Sequence, residues 1–333
     1  MLFTKYIIKD FTLRNKIVMA PMCMFCAEDD GVATPWHIIH YGTRASGGAG
    51  LIIVEATAIL PEGRISNNDL GLWNDHQEQQ LSLIAKTIKE NGALAGIQIN
   101  HAGRKSRTKS IVAPSPIPYD NYPTPNELTI DEIKRIIAAF TKAAARANKA
   151  GFDFLEIHGA HGYLINQFLS PITNKRNDSY GGSEENRLRF LKETIEAILQ
   201  EWPKDKILAL RISAEEFVEG GLKPKDYGRF LKEFKNSIDF IDVSSGAIVN
   251  NQINVFPGYQ LDFAREVKTL SSIPVIGGGL INDLDLANYA LNSKACDLIY
   301  FGRKLLKEPY FPQNESNKQN IAIYPKQYNR SYQ

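Results

Sequence analysis

The chain has 333 residues, 43% of them hydrophobic, and 39 Lys plus Arg against 37 Asp plus Glu give a net charge of +2. So even a balance offers no electrostatic footing for nucleic acid or an anionic membrane surface, and the apolar runs are strand-length, too short to span a bilayer. Three cysteines, Cys23, Cys26 and Cys296, cannot build a disulfide framework, so a reducing cytoplasm is the expected compartment.

Residues 1–15 are turn-rich and are expected to cover the floor of the fold. Eight short β-branched runs follow: Lys16–Ala20, Gly50–Ala56, Leu94–Asn100, Phe152–His158, Ile207–Ser213, Phe240–Ser245, Pro274–Gly279 and Asp297–Arg303. Helices are expected at Pro35–Ser46, His76–Asn91, Thr129–Ala150, Glu184–Glu201, Lys223–Lys235, Leu261–Leu270 and Asp283–Leu291. The third opens with a capping box, Thr129-Ile-Asp-Glu132, and then carries Ile133, Ile136, Ile137, Phe140 and Ala144 on one stripe. Strands alternating with helices imply parallel pairing through right-handed crossovers, and eight of them suit a closed (β/α)8 TIM barrel, an α/β fold. The long loops 57–75, 101–128 and 159–183 all follow strands and should gather on one face, while 304–333 reads as an extended C-terminal tail. One barrel typically takes ~250 residues. No linker composition divides the rest, so residues 1–333 read as a single domain.

Barrel chemistry sits where strands end. His158-Gly-Ala-His161-Gly-Tyr163 closes the fourth run. Two imidazoles can hold a carbonyl or nitro oxygen as it gains charge, and a phenol can deliver a proton. A structural histidine pair is the bland alternative. A metal site using Glu55 or Glu156 needs three or four convergent ligands, where the spacing supplies two. Gly277-Gly278-Gly279 and Gly302-Arg303 end the last two runs, where barrels often bind phosphate, although tight turns also use such glycines. Gln98 and Arg211 end the third and fifth runs. The amide could pair with a heterocycle edge and the guanidinium could stabilise an anionic ring, though either also suits an ordinary barrel interior. Cys23 and Cys26 form a lone C-x-x-C in the wrong setting for a thioredoxin-like role and with too few thiolates for an iron–sulfur cluster. Cys23 suits a place beside a cofactor, with Cys26 filling space. The basic run Arg104-Lys105-Ser106-Arg107-Thr108-Lys109 reads first as a solvated face and second as a contact for a phosphate of a nicotinamide donor. The set points to an anionic redox cofactor. Its rivals are a flavin-free aldolase, which lacks a lysine at a strand end, a metal-dependent isomerase, and a non-enzymatic ligand-binding barrel.

Longer motifs sharpen this. They are Pro21-Met-Cys-Met24, Gly50-Leu-Ile-Ile-Val-Glu-Ala56, Gln98 with His101-Ala-Gly-Arg-Lys105, Glu156 through Leu164, Phe168-Leu-Ser-Pro171, Asn174 through Ser183 with Glu185-Asn-Arg187, Ser244-Ser-Gly246, Ile253 through Tyr259, and Phe301-Gly-Arg303. In combination the chain resembles the Old Yellow Enzyme family, most of all its thermophilic-like bacterial branch typified by YqjM. The resemblance implies an FMN-dependent ene-reductase that passes hydride from NADPH or NADH to an activated alkene. Carried over, Ala20, Pro21, Met22, Cys23, Ala56, Gln98 and Arg211 would hold the flavin ring, with Cys23 tuning its potential. Gly278, Gly279, Gly302 and Arg303 would hold its phosphate. His158 and His161 would bind the substrate oxygen and Tyr163 would donate the proton. Phe25 stands where that branch usually has a substrate-facing tyrosine, and Arg330, after Gln327-Tyr328, matches an arginine that reaches a neighbouring subunit's site in a homodimer or homotetramer.

Overall fold

Eight parallel strands close on one another in chain order in the computed structural model, which describes residues 1–331. They are β1 Ile17–Met19, β2 Leu51–Ala58, β3 Leu94–Asn100, β4 Phe154–Gly159, β5 Ile207–Ser213, β6 Phe240–Ser244, β7 Val275–Gly277 and β8 Leu298–Phe301. Residues 332 and 333, the end of the expected domain, lie outside the described residues. A parallel sheet wrapped by helices is covered on both faces, which is why β2, β4, β5 and β6 are buried at every position. Alternate residues fill two layers. Val18, Leu51, Ile53, Phe154, Ala209, Phe240, Ile276 and Leu298 plug the barrel interior. Their neighbours Ile17, Ile52, Ile97, Leu155 and Leu210 pack outward against the helices.

Register decides what lies above the apolar plug. Gln98 pairs with Glu156 across β3 and β4, His158 with Arg211 across β4 and β5, and Arg211 with Asp242 across β5 and β6. A polar tier therefore forms toward the C-terminal ends of neighbouring strands. The helix Ile130–Lys149 starts as its capping box requires: Glu132 N donates to Thr129 Oγ1 at 3.3 Å and Thr129 N to Glu132 Oε2 at 2.8 Å.

Four expectations change. The floor segment is an antiparallel hairpin, Tyr6–Ile8 with Phe11–Leu13, whose Tyr6, Ile8 and Phe11 press on the interior plug. The loop 159–183 contains the short helix Leu164–Leu169. The segment Lys223–Lys235 holds only the helix Pro224–Leu231, followed by a 3-10 turn, Lys232–Phe234. The tail is not extended at its start: helices Arg303–Lys307 and Phe311–Asn317 follow β8, with Phe311 seated 5.4 Å from the Phe301 ring. No helix among the described residues is long and apolar enough to cross a membrane.

Candidate active site

The turn after β4 places three rings together. His158 and His161 stand 5.1 Å apart, and Tyr163 lies 4.8 Å from His158 and 6.5 Å from His161, all edge to face. The backbone pays for this with left-handed conformations at His161 (φ 57°) and Gly162 (φ 70°). A Cβ at Gly162 would collide with the Ala247 carbonyl, so the loop after β6 packs directly on the turn. His161 N donates to Ser213 Oγ at 2.8 Å, and Gly162 N donates to Asn166 Oδ1 at 2.8 Å. The Lys105 ammonium locks the turn from the other side, donating to the carbonyls of His161 (2.9 Å) and Ala247 (3.2 Å) and lying 5.4 Å from the centre of the Tyr163 ring.

Protonation states follow from this burial. Burial pushes the His158 imidazole well below its ordinary value, helped by His161, Arg211 and Lys105; His161 falls likewise through burial, Arg211 and Lys105. Both rings are neutral near pH 7. The Ala160 amide donates to His158 Nδ1 at 3.3 Å, which puts that ring's proton on Nε2. His161 Nε2 lies 2.8 Å from Ser244 Oγ, and that oxygen also receives the Gln260 amide at 3.4 Å. Burial, then Cys23 and Asp69, push Tyr163 above the phenol range, so it keeps its proton.

Beneath the rings lies the polar tier. Gln98 Nε2 donates to Glu156 Oε1 at 2.7 Å, and Arg211 Nε faces Asp242 Oδ2 at 3.5 Å. Burial and Asp242 push the Glu156 carboxyl well above the carboxylate range. For Arg211, burial opposes the charge, but Asp242 and Glu156 outweigh it and raise the guanidinium. Arg211 Nε has no hydrogen-bond partner among the described residues, while the Glu156 and Asp242 carboxyls hydrogen-bond each other. Buried groups so placed are costly unless something satisfies them.

Beside this tier, a cleft of about 120 Å³ is lined by Ser244, Gln260, Gly279, Tyr300, Gly302 and Arg303. A Cβ on Gly278 would sit 2.5 Å from the Tyr300 ring, so glycine there is a space requirement. Tyr300 in turn donates to Gln260 and lies under Arg211, 5.3 Å from ring centre to guanidinium. A buried, unpartnered arginine nitrogen next to a glycine-lined, arginine-edged cleft has the chemistry a flavin mononucleotide needs, a cation for the ring and donors for the phosphate.

The remaining expected residues distribute around this mouth. Ala20 N donates to the Phe301 carbonyl at 3.1 Å, tying the end of β1 to β8, and Pro21 and Met22 continue from it. Ala56 lies in the irregular stretch of β2 where pairing shifts between Val54 and Thr57. Burial, then Glu55 and Asp69, push the Cys23 thiol up, so it stays an uncharged S–H. Phe25 has a left-handed backbone (φ 52°) and an exposed ring. Arg330 is exposed in the turn Lys326–Ser331.

The basic run is not the solvated face expected of it. Arg104 is buried and donates to the carbonyls of Ile117 (3.2 Å), Pro118 (3.1 Å) and Ile248, and Lys105 turns inward to the histidine turn. Only its later members face out. The sequence also left Glu55 unassigned except as a metal ligand. Its carboxyl instead accepts Met24 N at 2.7 Å and Tyr41 Oη at 2.9 Å, fixing the segment after β1 that carries Cys23 and Phe25. Among the described residues no group of three or more His, Cys, Asp and Glu side chains is placed to hold a metal ion.

Known proteins resemble this chain in sequence and fold. The sequence model of the NADH:flavin oxidoreductase / NADH oxidase family matches residues 1–321. The NADPH dehydrogenase of Clostridium acetobutylicum is 48% identical over 336 residues, covering 99% of either chain. The solved structure of an Old Yellow Enzyme homologue from Zymomonas mobilis superposes with a TM-score of 0.82 at 31% identity, over 97% of this chain and 96% of that one. A 2-naphthoyl-CoA reductase in complex with 2-naphthoyl-CoA superposes with a TM-score of 0.90 at 26% identity over 96% of this chain, which spans about half (52%) of that protein's length.

Proposed function

The chain belongs to the Old Yellow Enzyme family of NADH:flavin oxidoreductases, and from that premise we propose that it reduces activated alkenes at the mouth of the barrel. It is an NAD(P)H-dependent, FMN-using oxidoreductase. When bound, FMN would supply the hydride-transfer chemistry that couples NADPH or NADH, in a ping-pong sequence, to the β-carbon of an α,β-unsaturated carbonyl compound, a nitroalkene or a quinone. Ala20, Pro21, Met22, Cys23, Ala56, Gln98 and Arg211 would hold its ring, and Gly278, Gly279, Gly302 and Arg303 its phosphate.

The chain's own residues do the rest. His158 and His161, both neutral, donate ring N–H groups to the substrate's carbonyl or nitro oxygen. A neutral imidazole gains more from a growing negative charge than from the uncharged ground state, which is the condition for catalysis by differential binding. Arg211 and Lys105, which add to the larger effect of burial in keeping the rings neutral, favour the same developing anion. Tyr163, protonated and 4.8 Å from the His158 ring, delivers its proton to the α-carbon. Phe25 gives the rim an apolar edge, the uncharged Cys23 thiol tunes the flavin potential, and Arg330 completes a neighbour's site in a homodimer or homotetramer of the thermophilic-like type.

The observation that carries the reading is the packing of two uncharged imidazoles and one protonated phenol at a single strand end. The test is titration of the flavin-loaded protein with para-substituted phenols, whose phenolates mimic the enolate. The wild type should bind them with a long-wavelength absorbance change, and His158→Ala/His161→Ala should lose that response while retaining FMN. One oxyanion donor is commonly worth ~100–1,000-fold in rate, so enone turnover should fall at least that far. Undiminished phenol binding in the double variant would refute the assignment.

A further inference from the structure

The basic run that opens inward with Arg104 and Lys105 ends outward in a second cavity. Two contacts stitch the loops after β2 and β3 together at this point: Ser106 Oγ donates to the Arg64 carbonyl at 2.7 Å and Arg107 N to the Ile65 carbonyl at 2.9 Å. Beyond the seam, Arg64, Arg107 and Lys109 line a cleft of about 450 Å³ together with the hydroxyls of Thr108 and Ser110. The carboxylate on its wall, Glu62, is already engaged by Arg135 at 2.7 Å. Asp69 is turned away, accepting the amides of Ile65 (2.6 Å) and Ser66 (3.1 Å). The cleft therefore presents cationic donors with little opposing charge.

Those donors are partly fixed in advance. Arg64 Nη1 donates to the carbonyls of Asp29 and Asn67, each at 2.7 Å, and Arg107 Nε to Tyr122 Oη at 2.9 Å, so that among the described residues the Arg107 terminal nitrogens have no partner and can fork onto an anion. Lys109 has no hydrogen-bond or ion-pair partner among the described residues. A second cleft of about 400 Å³ shares Arg107 and Thr108 and is walled by Ile111, Tyr122 and Pro123. A flat apolar wall beside a cluster of cations is what an adenosine phosphate needs: a face for the base and donors for the phosphate.

The cleft is also within reach of the chemistry. Arg107 is two residues beyond Lys105, whose ammonium holds the His161 carbonyl, so the two Cα atoms are at most about 7 Å apart. We infer that the Arg64–Arg107–Lys109 cleft binds a phosphate of the nicotinamide donor's adenosine half while the nicotinamide lies at Tyr163, an assignment that rests on the proposed active site.

The experiment uses the FMN-loaded protein and the variant Arg107→Gln/Lys109→Gln, with Lys109→Glu as a second, single-site variant. Binding of adenosine 2′,5′-bisphosphate and of 5′-AMP is measured by calorimetry, and flavin reduction is followed with NADPH and with NADH. The double variant should lose about tenfold in bisphosphate and dinucleotide affinity, as expected for two partly exposed charge contacts, with its FMN content and melting temperature intact. A loss confined to NADPH and the bisphosphate places the 2′-phosphate in the cleft. An equal loss for NADPH, NADH and 5′-AMP places the backbone phosphates there. Unchanged affinities in both variants overturn the inference. A wild type whose bound flavin neither dinucleotide reduces would instead sink the functional reading, and the bisphosphate titration would still decide the cleft.

Discussion

Glu55→Gln should make the stability of the protein less sensitive to pH. Glu55 is buried on β2 and faces Tyr41 and His37 of the helix Pro35–Ser46, the amide of Met24, and the side chains of Cys23 and Asp69. Burial raises its carboxyl from 4.5 to about 7, and its hydrogen bonds recover only part of that cost. The folded pKa is the higher one, so this group's contribution is fully present below about pH 4.5 and is lost as pH rises through about 7. At 1.36 kcal/mol per pH unit, a carboxyl moved from 4.5 to about 7 corresponds to about 3 kcal/mol. A glutamine keeps the shape and an acceptor for Met24 but cannot ionise. Urea unfolding of both proteins at pH 4.5, 6 and 7.5 isolates the contribution of Glu55 and its immediate neighbours, because groups away from it cancel in the difference. The variant should gain on the wild type by about 3 kcal/mol between the extremes. A stability difference that stays constant across that range would refute the burial argument for Glu55.

Lys105→Met should slow alkene reduction about 10- to 100-fold, since it removes a cation 5.4 Å from the Tyr163 ring and orphans the His161 and Ala247 carbonyls; at that distance a full charge is worth about 3 kcal/mol for an effective dielectric of 20. Burial lowers the Lys105 ammonium from 10.5 to about 8, so the wild-type pH–rate profile should fall above about pH 8, and that limb should be missing in the variant. Gly278→Ala forces a methyl group against the Tyr300 ring, an overpacking cost of about 1–3 kcal/mol. That cost falls on the folded apoprotein, so its stability to urea should drop by about the same amount, and the displaced Tyr300 ring should also weaken FMN retention in a flavin-release titration; an apoprotein as stable as the wild type would refute the packing argument.

The barrel was legible because its strands obey one simple pattern. Leu94–Asn100 and Ile207–Ser213 have the predicted boundaries, as expected for β-branched runs buried on both faces. The hairpin Tyr6–Ile8 with Phe11–Leu13 was hidden because three-residue strands are too short to show a period. In the site, His158, His161 and Tyr163 could be picked out because seven crossovers between eight parallel strands place the strand ends on one face. Lys105 could not: its inward turn depends on the Ala102–Ser106 backbone and on two carbonyls that accept its ammonium, His161 in the turn after β4 and Ala247 in the loop after β6. The Glu156–Arg211–Asp242 tier was equally invisible, since it is created by strand register, which a single sequence leaves open.

The most direct measurement compares the two half-reactions of Tyr163→Phe in a stopped-flow instrument. Reduction of the bound flavin by NADPH should proceed at close to the wild-type rate, because the phenol proton is not used there. Reoxidation by cyclohexenone should slow by ~100- to 10,000-fold, the usual worth of a positioned general acid, with enone binding little changed because His158 and His161 remain. Reoxidation at the wild-type rate would contradict Tyr163 as the proton donor, and with it the central claim about this strand end.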